Sequence, residues 1–199
     1  RGTYLIVLAD ASLESILEDE STGNFIHFKE TQGFNVELIT MADVGGTAEN
    51  LRSYLQYYYE NIDSMLEYVL LVGDVNGSFA IPPFTIPSYN ESDLDVTDYP
   101  YTFFENADIF NPSFFIGRWS IRSQDDLKKI KKRSIEYITI DELTGLGGSP
   151  NYLNNALLVA GNYSDSGSWP VTPVWTSKWL MDELHQFGYA TINTAFFDL

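Results

Sequence analysis

The stretch "LEYVLLVGDVNGSFAIPP", residues 66–83, runs from an almost wholly apolar segment into a glycine, an aspartate and a proline-bearing turn. A near-continuous apolar run of this length marks a strand buried on both faces, the habit of parallel sheets covered by helices. In open parallel sheets, ligands and chemistry gather at the carboxyl ends of the strands. Gly73 and Asp74 stand at that end. Asp74 is therefore a candidate site residue, with an acceptor for turn N–H groups as its alternative role.

Upstream, "TYLIVLA" (3–9) and "FNVELIT" (34–40) read as two more strands. Between them Leu13, Ile16, Leu17, Phe25, Ile26 and Phe28 recur at helical spacing, interrupted near Gly23 and stopped by Gly33. Thr47 caps a helix over 47–62 whose apolar stripe is Leu51, Tyr54, Leu55, Tyr58 and Ile62. Strands alternating with helices through short joins predict right-handed crossovers and a parallel sheet.

Downstream, residues 73–113 form a long, turn-rich region, and loops of that length in a compact domain are usually functional. Within it "YPYTFFE" (99–105) and "PSFFIGRW" (112–119) are expected to pair as strands. Ser123 opens the next helix in the manner of a capping box, with Asp126 at the third position. Leu127, Ile130, Ile135 and Ile138 should face the core, and Lys128, Lys129, Lys131, Lys132 and Arg133 should form a solvated outer face. After a glycine-rich link (144–150) come a strand at "NALLVAG" (155–161), a helix over 173–186 and a strand at "YATINTAFF" (189–197). Trp175, Trp179, Leu180 and Leu184 are expected on that helix's inner face. The expected architecture is one α/β domain over 1–199: a mostly parallel sheet flanked by helices, a three-layer sandwich with an added antiparallel hairpin.

Composition bounds the function. Of 199 residues, 44% are apolar, enough to fill a core. Acidic residues outnumber basic ones by 28 to 11, and the net charge of -17 disfavours nucleic acid and anionic membranes as partners. There is no cysteine, so these residues hold no disulfide, thiolate metal site or cysteine nucleophile. No apolar run approaches the roughly 18 residues of a membrane span. Both ends read as cuts in a longer polypeptide, with any signal peptide lying outside the segment.

Several chemistries fail on their residues. Gly73 to Gly77 is neither a dinucleotide fingerprint nor a phosphate loop. An EF-hand beginning at Asp93 would need glycine and glutamate where Asp98 and Phe104 stand. The run Glu91, Asp93, Asp95 and Asp98 leaves two readings open, a solvated acidic loop and a looser calcium site. No other cofactor is expected. His27 and His185 each lack a neighbouring acid or nucleophile, and a nucleophile-elbow motif is absent. What survives is a pair of carboxylates on strand-end loops, Asp74 and Asp98.

The order "EYVLLVGDVNGSFAIPP", "VTDYPY", "FFIGRWSIRSQDDLKKIKKRSIEYI", "NALLVAGNYSD" resembles the gingipain-type cysteine peptidases of bacteria, over roughly residues 4–197. The resemblance implies a caspase-like fold and places this chain as the N-terminal half of a catalytic domain. The histidine–cysteine dyad would then lie in the C-terminal half, its expected partner. It further implies secretion or surface attachment, a protein or peptide substrate, and inactivity of the isolated half. Asp98 matches the aspartate that receives the substrate's basic side chain in arginine-specific members; Asp74, the other substrate-binding candidate, is expected at the same end of the sheet as the loop carrying Asp98. A carboxylate fully buried against an arginine such as Arg118, a structural ion pair, is the opposing reading of Asp98. "ENADIFNPS" is poorer in carboxylates than its counterpart in many relatives, so no metal site is carried over. The alternative function is a non-catalytic caspase-like module for surface binding or assembly. A flavodoxin-like cofactor domain is a third reading, and self-association of the segment is also expected.

Overall fold

Successive side chains of a strand point to opposite faces, and on β1 (Thr3–Leu8) both sets are apolar and buried. Leu5 and Val7 join one core, Ile6 and Leu8 another. A sheet with two apolar faces needs a cover on each. The computed structural model describes residues 1–87, 94–104, 110–139, 154–161 and 172–197. Glu91, Asp93 and the 144–150 link lie outside the described residues.

These residues fall into two compact units, Arg1–Thr139 and Ile140–Leu199. In the first, β2 (Asn35–Thr40), β1, β3 (Leu66–Val72) and β6 (Phe115–Trp119) form a four-stranded sheet in the order β2-β1-β3-β6. Every pairing is parallel. Helix α3 (Ala48–Tyr57) covers one face with Leu51 and Leu55, against Leu5, Val7, Val69 and Leu71. The other face, with Ile6, Leu8, Leu70 and Val72, is covered by α1 (Glu14–Leu17), α2 (Phe25–Thr31) and α4 (Gln124–Ile138). Tyr4, Tyr68 and Phe115 stack across three neighbouring strands, with ring centroids 5.7 and 5.4 Å apart.

The helix ends follow their sequence signals. Thr47 Oγ1 accepts from the Asn50 N–H (3.1 Å), and Ser123 Oγ accepts from the Asp126 N–H (3.2 Å). Gly23 and Gly33 take positive φ, as helix-breaking glycines do.

Two expectations are corrected here. Residues 99–102 form a single 3-10 turn instead of a strand, and 115–119 is the fourth parallel strand. The antiparallel pair is built instead from β4 (Phe84–Pro87) and β5 (Leu94–Thr97), with Phe84 opposite Thr97. Pro100 at the head of the turn favours the bend and removes a ladder N–H. The second correction concerns Lys131, which is fully buried. Its Nζ donates to the carbonyls of Ile16 (2.5 Å) and Asp19 (3.0 Å), satisfying acceptors at the end of α1.

In the second unit, β7 (Asn155–Gly161) and β8 (Thr191–Phe197) pair in parallel and α5 (Pro173–Gln186) packs on both. Val174 is the buried residue of α5, and Trp175, Trp179 and Leu180 are exposed, contrary to their expected inward placement.

Candidate functional site

The carboxyl end of β3 is closed by its own backbone. The Gly73 N–H donates to Trp119 O (3.0 Å), extending the β3–β6 ladder by one bond. Asp74 N–H donates to Phe79 O and Ile81 N–H returns to Asp74 O, both at 2.8 Å, so 74–81 is a closed turn. The chain packs so tightly here that a Cβ on Gly73 would sit 2.7 Å from Phe79 O and 2.9 Å from Ala9 Cβ. Only glycine fits.

Arg118, the fourth residue of β6, lies beside Leu71 of β3 and extends over this turn. Its side chain is 9% exposed. Nη1 donates to the carbonyls of Gly73 (3.1 Å), Asp74 (3.3 Å) and Ile81 (3.0 Å). Nε and Nη2 donate to the two oxygens of Asp98 at 2.8 and 2.6 Å. This is the planar two-bond fork that only arginine offers a carboxylate.

Asp98 begins the 99–102 turn, where its carbonyl accepts from the Tyr101 N–H (3.1 Å), yet its side chain makes no capping bond. Thr97 does that work, accepting from the Tyr99 N–H (3.2 Å), and leaves the aspartate for Arg118. The loop is held from other directions as well. Tyr101 Oη donates to Pro82 O, and Arg52 of α3 donates to Phe103 O through Nε (3.3 Å) and Nη2 (2.9 Å). Ser113 N–H donates to Thr102 O (2.8 Å). Tyr101, Thr102 and Phe104 are buried. Burial pushes the Tyr101 phenol up, so it stays a neutral donor.

Asp74 points the other way along the strand end. Oδ1 accepts from the Val75 N–H (2.8 Å) and Oδ2 from Arg122 Nε (2.9 Å). The bond from Arg122, then that from Val75, holds the carboxyl below the usual carboxylate range. Arg122 itself is 83% exposed.

Asp74 and Asp98 therefore meet at one strand end, joined through Arg118, each already paired with an arginine. The Asp98 side chain keeps 22% of its surface exposed. Sequence reasoning missed Arg122 as the partner of Asp74 and Arg52 as an anchor of the 98–104 loop. Neither carried a signal in the sequence, since Arg122 is exposed beyond the end of β6 and Arg52 lies on helix α3. Among the described residues, no group of three or more histidine or acidic side chains is placed to hold a metal ion.

A family model described as peptidase family C25 matches residues 1–198. The chain belongs to peptidase family C25. It is similar to gingipain R2 of Porphyromonas gingivalis, 28% identical over 197 residues that cover 94% of this chain and 23% of the relative. It is 27% identical to gingipain R1 of the same species, covering 94% of this chain and 17% of that protein. The crystal structure of the Arg-specific cysteine proteinase gingipain R superposes with a TM-score of 0.68 at 24% identity, covering 98% of this chain and 41% of that one. The complex of Porphyromonas gingivalis RgpB pro- and mature domains gives the same TM-score at 25% identity, covering 97% and 42%. This C25 chain thus spans less than half of each solved chain and under a quarter of these relatives. No helix among its described residues is long and apolar enough to cross a membrane.

Proposed function

We propose that this chain is the N-terminal half of the catalytic domain of a secreted or surface-attached cysteine endopeptidase with a caspase-like fold. The observation that carries the reading is the C25 match over 1–198, in a chain without a cysteine. The nucleophile and base then come from a C-terminal half beyond these residues, where a thiolate attacks the peptide carbonyl and histidine moves the proton. The isolated chain is inactive. Its contribution is one wall of the substrate cleft, built from the turn at 74–81 and the loop at 98–104, at the strand ends where such sites form.

Asp98 enters this reading as an ordered carboxylate. Arg118 takes one bond on each oxygen, and the remaining lone pairs, on a side chain 22% exposed, are available to a substrate's basic group. Because the ion pair is already neutral, such selection works through hydrogen-bond geometry more than through net charge.

The test is capture. An arginyl peptide carrying a photoreactive group on its basic side chain and a thiol-reactive head is applied to the longer protein. Crosslinks to residues 73–82 and 98–104 are expected. Crosslinks confined to other segments of the protein contradict the assignment of the cleft wall.

A further inference from the structure

Three loop segments converge on one side chain. Without Arg118, the carbonyls of Gly73, Asp74 and Ile81 and the carboxylate of Asp98 lose a shared donor. The Asp98 carboxylate receives no capping contact from the turn it precedes, and its bonds to Arg118 fix its orientation. Sheet pairing at β6 is by backbone and does not depend on this guanidinium.

We propose that Arg118 is a positioning residue for the substrate-facing loops, one guanidinium setting both the aim of Asp98 and the path of the 74–81 turn. This rests on the cleft-wall reading above. Charge alone does not suffice. A lysine ammonium is a point donor on one nitrogen and cannot span a carboxylate and three carbonyls from a single position. Arg118→Lys therefore keeps the charge and loses the geometry.

The experiment compares wild type, Arg118→Lys and Asp98→Asn in the full 199-residue chain by amide hydrogen exchange. Arg118→Lys is expected to speed exchange at Ile81 and Tyr101 by about tenfold or more while the β1 and β3 amides keep their protection. Asp98→Asn is expected to act on the 98–104 loop only, because the three carbonyl bonds survive. Unchanged exchange in Arg118→Lys overturns the proposal, and so does a uniform rise across the whole sheet, which marks a general folding residue. A second readout uses the longer protein with basic reporter peptides. There Arg118→Lys is expected to raise KM about tenfold with kcat changed less than about twofold, the split of lost uniform binding. A fall in kcat at unchanged KM overturns the positioning role. If the longer protein cleaves nothing, the peptidase reading fails, and the exchange data still decide the role of Arg118.

Discussion

Gly73 shows how one missing side chain sets a site. Its Cβ position is claimed by a carbonyl and two apolar carbons within 2.9 Å. Gly73→Ala is expected to destabilise the chain by about 1–3 kcal/mol through overpacking, read as a lowered urea midpoint at unchanged slope. Asp74 gives the pH signature. Its folded pKa is depressed, so its stabilisation is fully present above the ordinary value of 3.8 and fades as pH falls through the folded value. Asp74→Asn should therefore melt below wild type at neutral pH, and the gap should close in the acid region below 3.8. A gap that stays constant down to the acid transition contradicts the Arg122 pairing. Lys131 is a third such residue. Burial pushes its ammonium below the usual lysine range, and its donors satisfy two carbonyls. Lys131→Met is expected to cost about 1.5–3 kcal/mol, because the two bonds from a charged donor are lost and each carbonyl keeps only a longer backbone bond, from Asp19 N–H (3.3 Å) and Thr22 N–H (3.4 Å).

At the scale of elements, the parallel sheet was legible because its signals are redundant. The strands β1 and β3 are apolar on both faces, the helices α3 and α4 each have a stripe and a cap, and all agree. Ser123→Ala should remove about 1 kcal/mol from α4 by loss of its cap, visible as a lower melting temperature. Where the sequence misled, two principles competed. Residues 99–104 are aromatic, which suits a strand, but Pro100 and the Thr97 cap favour a turn whose rings enter the core one by one. Lys131 lies four residues from both Leu127 and Ile135, on the apolar stripe itself. Spacing places it inward, and only the habit of counting lysine as surface places it outward. Helix α5 is apolar on more than one side, so periodicity did not choose its face. The structure buries Val174, leaves Ser177, Met181 and Leu184 half-buried, and leaves Trp175 and Trp179 exposed. The site was half legible for a related reason. Strand ends are visible in sequence, but the partner of a carboxylate arrives from a strand or loop 20 or more residues away in the chain.

The whole molecule carries a charge of -17 and exposed apolar surface together. Leu157 and Val159 of β7 and Phe197 of β8 are each more than 60% exposed. In the 98–104 loop, Tyr101 and Phe104 are buried and Tyr99 is 43% exposed. Self-association of the isolated chain through the β7–β8 unit is therefore expected, opposed by charge repulsion and strengthened as salt screens it. Sedimentation across a salt series should show a growing dimer fraction, and Val159→Asp should reduce it. A strict monomer at high salt contradicts this. The central claim, half of a C25 peptidase whose nucleophile lies elsewhere, is tested most directly by assaying arginyl and lysyl reporter peptides with this chain and with the longer protein, each before and after thiol alkylation. No turnover is expected from the chain alone, and thiol-dependent turnover from the longer protein. Turnover by the chain alone, or activity of the longer protein that survives alkylation, would contradict the claim.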